Sequence, residues 1–306
     1  IQLPEGNIAL KESLPPLRNR EGAALSVVIA GASSGASGIR GFGGGRLLTA
    51  IAAASHIANL TVNVADLTFT SGRSGNASGG AILNLATMGL SRCTFVDNWA
   101  SHDGGAIQSE GDLGVHGCTF TGNRAGKEGA AVGNSGMLRM TDCIFLTNHV
   151  TGEESSAVLN LGNMTAERCS YTSNKGGAVE NRGTMEDYGS EYTNHLGNAI
   201  RNHGTLRVGG ASFVNNSARR GGGVLNTYSA NVTDCSFSLN AALETGGAVM
   251  SEGWLLMAGC HVSGGHAAAG GGVYTIGHAE LRDTFFEGNA AAERGGAIYH
   301  GQRSPL

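Results

Sequence analysis

The sequence predicts an all-β chain wound as a right-handed, single-stranded parallel β-helix, a solenoid of about 10–11 rungs of 21–26 residues each. Three observations predict it. A Gly-Gly-Ala-aliphatic element recurs with its aliphatic residue at Ile82, Ile107, Val132, Val158, Val179, Ile200, Val224, Val249, Val273 and Ile298, at spacings of 25, 25, 26, 21, 21, 24, 25, 24 and 25. An aromatic-x-x-Asn element keeps step: Phe95/Asn98, Phe120/Asn123, Phe145/Asn148, Tyr171/Asn174, Phe213/Asn216, Phe237/Asn240 and Phe286/Asn289. Between them lie short alternating runs such as Leu113-x-Val115 and Leu206-x-Val208, the period of a strand. A repeat of this length holds three short strands and three bends, so like residues stack rung over rung at about 4.8 Å.

Taken in order, residues 1–46 are a less regular lead-in, expected to cap the open end of the coil. Ile8-x-Leu10 reads as an edge strand, and Leu25-Ser-Val27-Val28-Ile29 as the first strong strand. The Gly/Ser stretch from Ser33 to Gly45 lacks the Lys-Ser/Thr and the helix of a phosphate loop. Residues 47–306 form the repeat domain. Its apolar start, Leu47 to Ala65, alternates strictly at Leu60-Thr-Val62-Asn-Val64 and is read as strands, not as a membrane span. Within the rungs, aliphatics and Phe build interior ladders, Gly pairs make tight bends, and the repeated Asn residues satisfy turn backbone groups by stacking. A second polar ladder follows the aliphatic by two: Asn84, Ser109, Asn134, Asn160, Asn181, Asn202, Asn226, Ser251 and Thr275.

Cys93, Cys118, Cys143, Cys169, Cys235 and Cys260 share one rung position, two before the aromatic. They read either as inert stacked thiols or as disulfides between adjacent rungs, paired 93–118, 143–169 and 235–260. The two 21-residue rungs, residues 158–200, should leave a recess. They carry Glu180, Glu186, Asp187 and Arg201, with His195 and His203 nearby, and Asp187 stands where other rungs place an inward Val, Leu or Met. Two readings stand: a register change that turns Asp187 outward, because an unpaired buried carboxylate is costly, or a carbohydrate-binding or acid/base groove. The last copy, from Gly295 to His300, leaves its rung incomplete at Leu306, which suggests that the native chain continues or that another molecule covers that end.

The formal net charge of −4 gives no electrostatic case for nucleic acid or anionic membrane. No metal-type Cys spacing occurs, so no metal or other cofactor is expected. Sequons at Asn59, Asn76, Asn163, Asn215 and Asn231 are glycosylation candidates compatible with secretion. The start at Ile1 without Met suggests a processed chain. An ice-binding surface would need a flat Thr-x-Thr array, and none is read from the repeats.

Over residues 60–300 the paired Gly-Gly-Ala-Ile/Val and Phe-x-x-Asn motifs resemble the repeats of the chlamydial polymorphic outer-membrane proteins. They also resemble the secreted β-helix proteins of the pectin-lyase-like superfamily. The first resemblance implies adhesion and surface display; the second implies polysaccharide lyases and hydrolases that use clustered Asp, Lys or Arg on one strand face. No such catalytic set carries across residue by residue. The reading is a non-catalytic extracellular structural or adhesive protein, a possible subunit of a cell-surface layer, filament or appendage. Its expected partners are other subunits or cell-surface glycans, with neither nucleic acid nor a membrane-spanning segment. The alternative is a polysaccharide-active enzyme or glycan-binding protein using Asp187, Glu180, Glu186, Arg201 and His203; convergence of these side chains in one groove is the discriminator.

Overall fold

The computed structural model describes residues 1–19, 24–32, 37–41, 45–51, 60–151 and 156–301. They form two compact units, Ile1–Met164 and Thr165–Leu306. Each is a parallel β-helix, and among the described residues there is no helix.

In the first unit the chain passes in turn through three parallel sheets. One rung shows the path: the aliphatic strand Ile107–Ser109, the long strand Asp112–His116, and the aromatic strand Thr119–Thr121. A two-residue strand, Arg124–Ala125, then lies on the flank before the turn at Gly129. Neighbouring rungs pair in register, Ile107 with Ile82 and Val132, Val115 with Leu90 and Met140, and Phe120 with Phe95 and Phe145. The lead-in joins the same sheets: Gly6–Leu10 is an edge strand on Ser37–Gly41, and Leu25–Ala30 pairs with Leu60–Ala65. Of the apolar stretch after residue 47, Leu48–Ile51 and Leu60–Ala65 are strands, while residues 52–59 lie outside the described residues.

The second unit repeats the path, for example through Val224–Asn226, Ser229–Thr233 and Ser236–Ser238. Its flank strands are longer: Ser217–Arg220, Ala241–Thr245, His266–Ala269 and Ala290–Arg294.

Alternation fixes what lies inside. Cys and Phe are two apart and share a face, so both turn inward. In the first unit Phe69, Phe95, Phe120 and Phe145 stack with centroids 5.0, 4.8 and 4.8 Å apart and ring planes within 6°. In the second, Tyr171, Tyr192, Phe213 and Phe237 stack at 4.9, 4.8 and 4.5 Å. The six cysteines are buried in the same interior. Each follows the bend between long and aromatic strands, where Asp142 and its counterparts hold positive φ, and Sγ of Cys143 donates to the carbonyls of Val115 and Thr141.

Buried amides close the bends. Asn98 Nδ2 donates to Asn123 Oδ1 at 2.9 Å and to the Phe69 carbonyl at 3.0 Å, while the Asn98 backbone N–H donates to Asn123 Oδ1 at 3.1 Å. Asn123 repeats this on Asn148, and in the second unit Asn216 repeats it on Asn240. The second ladder runs Asn84 to Ser109, Asn134 to Asn160, and Asn181 to Asn202 to Asn226 to Ser251. Glycine is required where the flank turns back: Gly104 has a φ of 64°, and a Cβ on Gly105 would sit 2.1 Å from the Ala130 carbonyl oxygen. On the outer side of the aromatic sheet, Thr68, Thr94 and Thr119 stand in register beside Thr70, Val96 and Thr121. This short Thr-x-Thr array, which the sequence was not expected to contain, gives way to Ile144 and Leu146 on the next strand.

Candidate functional site

The second unit holds all five residues expected to act together, and their strands deal them to three places. Glu180 follows the inward Val179, so it points out from the aliphatic sheet. Its carboxylate is nonetheless almost covered, at 3% side-chain exposure, because three neighbouring side chains close over it. Arg182 approaches at 2.9 Å, Arg201 at 3.3 Å and His203 Nε2 at 3.7 Å. Arg201 also donates to Asn198 Oδ1, while Asn198 donates to the carbonyls of Arg220 and Gly221. His203 Nδ1 lies 2.8 Å from Thr227 Oγ1. Each Glu180 oxygen thus has an arginine partner.

Asp187 is elsewhere. It pairs in register with Val208 and points into the coil, fully buried. The expected register change that would have turned it outward does not occur. Its rung solves the desolvation problem differently: Ser190 Oγ donates to Asp187 Oδ1 and Tyr192 Oη to Oδ2, both at 2.5 Å. Burial pushes the Asp187 carboxyl up to about 6, against the pull of these two donors. Burial also raises the Tyr192 phenol well above its ordinary range.

In the same rung His195 takes the place of the ladder Asn. Its Nδ1 accepts the Asn174 backbone N–H at 3.1 Å, and burial lowers its pKa to about 4, so the ring is neutral.

Glu186, between inward Met185 and Asp187, faces out on the long-strand sheet and pairs with Arg207 at 3.6 Å. Glu180, Arg201 and His203 therefore share one outer patch, Asp187 lies in the sealed interior and Glu186 on a third surface, so the three carboxylates do not converge. Arg182 and Asn198 belong to the outer patch although sequence reasoning did not single them out; the signal was their place beside the charged pair on the short rungs.

The other candidates are dispersed. Asn76, Asn163 and Asn215 are exposed and Asn231 is half-buried, while Asn59 lies outside the described residues. Within the thiol ladder Cys93 N–H donates to Cys118 Sγ at 3.3 Å, and the contact with Cys93, together with burial, raises the Cys118 thiol. Among the described residues no group of His, Cys, Asp and Glu is arranged to hold a metal ion. Likewise, none of them lies in a helix long and apolar enough to cross a membrane.

These features define a parallel β-helix repeat protein. Two of its stretches, residues 92–110 and 283–301, match the model of the Chlamydia polymorphic membrane protein repeat; both contain the Phe-x-x-Asn and Gly-Gly-Ala-Ile elements. Among solved structures the chain is similar to the A-module of mannuronan C-5 epimerase AlgE4 from Azotobacter vinelandii, at 13% identity and a TM-score of 0.43, over 100% of this chain and 90% of that one. It is also similar to the AlgE6 A-module from the same organism, at 11% identity and a TM-score of 0.33, with the same coverage. No curated protein matches the chain.

Proposed function

We propose that this chain is a non-catalytic, cell-surface β-helix with a structural or adhesive role, a module of a surface layer, filament or appendage. The observation that carries this reading is the separation of the three acidic candidates: Glu180 is ion-paired with Arg182 and Arg201, Asp187 is sealed inside, and Glu186 is paired on another sheet. Polysaccharide lyase or hydrolase chemistry needs a base and a charge-neutralising group within reach of one sugar. The match to a repeat named for Chlamydia polymorphic membrane proteins supports the surface location. The partners this implies are other protein subunits or surface glycans, and a net charge of −4 offers nucleic acid no attraction.

The test is to measure the isolated chain by sedimentation over a wide concentration range, and its binding to glycans and to cell surfaces. Self-association or surface attachment is expected, without depolymerisation of the glycans presented. A chain that stays monomeric and attaches to nothing would remove the reading. Turnover of a polysaccharide that is lost in Glu180→Gln would replace it with the enzyme reading.

A further inference from the structure

Inside the first unit the aromatic column does not continue as rings to its low-numbered end. In register it reads Ile8, Ile39, Phe69 and Phe95. Phe69 stacks on Phe95 at 5.0 Å, but on its other side it meets the smaller Ile39. Two isoleucines where the following rungs carry phenylalanine leave space that the lead-in does not fill. The result is a cavity of about 200 Å³. Phe69, Val64 and Leu48, all buried, form its floor. Ile1, Ile8 and Leu14, at 72%, 37% and 36% exposure, stand at its mouth.

Among the described residues, every side chain that lines the cavity is aliphatic or aromatic, and none carries a polar atom. A polar ligand would lose its hydration here and gain no hydrogen bond. That argues against a sugar, and against a peptide strand, whose N–H and C=O groups would go unpaired. Apolar cavities stay dry, and one of about 150 Å³ accepts benzene; by that measure this one holds about eight carbons. Shape narrows the choice further. The lining extends over two rung steps, from Ile8 through Ile39 to Phe69, or about 10 Å. About 200 Å³ drawn out over that length is long and narrow, the form of one unbranched chain. A phenylalanine offered by a partner protein would have to reach that far from its own backbone, which its ring does not.

We propose that this cavity binds an unbranched aliphatic chain of about eight carbons, the tail of a fatty acid or of a lipid, with the polar head left in water at the mouth. The driving force is burial of apolar surface, so affinity follows chain length rather than head group. The inference goes beyond the adhesive reading and does not rest on it.

The test uses the whole chain, titrated calorimetrically with straight-chain primary alcohols from 1-butanol to 1-decanol and with 1-adamantanol, a compact cage too wide for the cavity. Affinity should rise about fourfold per added CH₂ up to about eight carbons and then level off. 1-Adamantanol should bind at least tenfold more weakly than 1-octanol. Ile39→Phe, which continues the ring column into the space, should lose at least tenfold in affinity for 1-octanol while melting no lower than the parent. Ile8→Phe fills the same space from the mouth and should do likewise. Ile144→Ser removes an exposed side chain from the outer side of the aromatic sheet and should bind as the parent does. Octanoate and dioctanoyl phosphatidylcholine, the latter below its micelle concentration, separate the sources: a preference for either supports the chain site and says which molecule supplies the tail. No binding of 1-octanol, affinity indifferent to chain length, or equal affinity in the parent and both folded Phe variants overturns the proposal. If the parent binds no alcohol and Ile39→Phe abolishes its self-association, the cavity is a contact between copies; the chain site falls and the adhesive reading stands. If the parent binds 1-octanol but attaches to no surface and forms no assembly, the adhesive reading falls and the chain site stands.

Discussion

At the scale of single residues, the interior ladders set what each position can tolerate. Phe145 is fully buried in a column whose members cannot move together, because the backbone fixes their spacing. Phe145→Ala should therefore cost about 3–5 kcal/mol in a denaturant melt. Asn148→Ala should cost less, about 1–3 kcal/mol, since it strands the Asn123 N–H at 3.0 Å and the Phe120 carbonyl at 2.9 Å without opening a large cavity.

Asp187 and His195 make the second residue-scale prediction. The Asp187 pKa rises on folding from 3.8 to about 6, so its contribution is full below pH 3.8 and is lost as pH rises through about 6. The His195 pKa falls on folding from 6.5 to about 4, so its contribution is full above pH 6.5 and is lost as pH falls through about 4. At about 1.4 kcal/mol per pH unit, each is worth about 3 kcal/mol, with opposite slopes over one window. The parent should melt at a nearly constant temperature from pH 4 to 6. Asp187→Asn should make that melt acid-sensitive, and His195→Asn should make it fall with rising pH. Flat profiles in both variants would contradict the burial of these groups.

The sequence carried a signal for this rung that periodicity alone hid. Asp187 looked like an intruder in an apolar ladder, and expulsion by a register shift was the cheaper expectation. Yet the same rung also holds Ser190 at the Cys position, Tyr192 at the Phe position and His195 at the Asn position. Ser190 and Tyr192 supply the hydroxyls that Asp187 needs, three and five residues along. Several coordinated departures in one rung mark an interior polar cluster, where one departure alone would mark an error of register.

At the scale of the strand, the outer column of the aliphatic sheet in the second unit reads Glu180, Arg201, Leu225 and Met250, paired in register. The ion pair thus occupies a position that the next two rungs fill with apolar side chains. Glu180→Ala alone should cost about 1.5–3 kcal/mol, because Arg201, only 12% exposed, loses its carboxylate. The double change Glu180→Leu with Arg201→Leu should be close to neutral, since it continues the Leu225–Met250 column. A double-mutant cycle on melting separates the two outcomes. Glycines divide along the same line. Gly104→Ala forces a side chain into positive φ and should lose about 1–3 kcal/mol, whereas Gly114→Ala should not. With 51 glycines in the chain, pattern alone could not tell a bend from an empty seat; φ and strand register separate the two.

At the scale of the whole molecule, each unit is a stack in which a rung touches only the rungs before and after it. Damage should therefore be local. In a Phe213→Ala variant, hydrogen exchange should quicken first in the strands that flank it, Glu191–Thr193 and Ser236–Ser238, while Thr94–Val96 and Thr119–Thr121 keep their protection. Loss of protection everywhere at once would show cooperativity beyond nearest neighbours. The repeat length and the two recurring motifs were enough to foretell the stack, because every rung repeats the same burial problem. Function was harder to read, because the charged residues obey the ladder's geometry before they obey any chemistry.

The side-chain amides add a consequence of their own. Asn98 donates to Asn123, Asn123 to Asn148, Asn181 to Asn202 and Asn202 to Asn226: every link runs from the lower-numbered residue to the higher. The ladders therefore have a grain. A rung added at the high-numbered side of such a ladder must offer an oxygen to the waiting amide N–H, and a rung added at the low-numbered side must offer a donor. Two like faces cannot satisfy each other. Any growth of this protein by stacking copies along the ladder would have to run head to tail, giving a fibre with a direction rather than a symmetric pair.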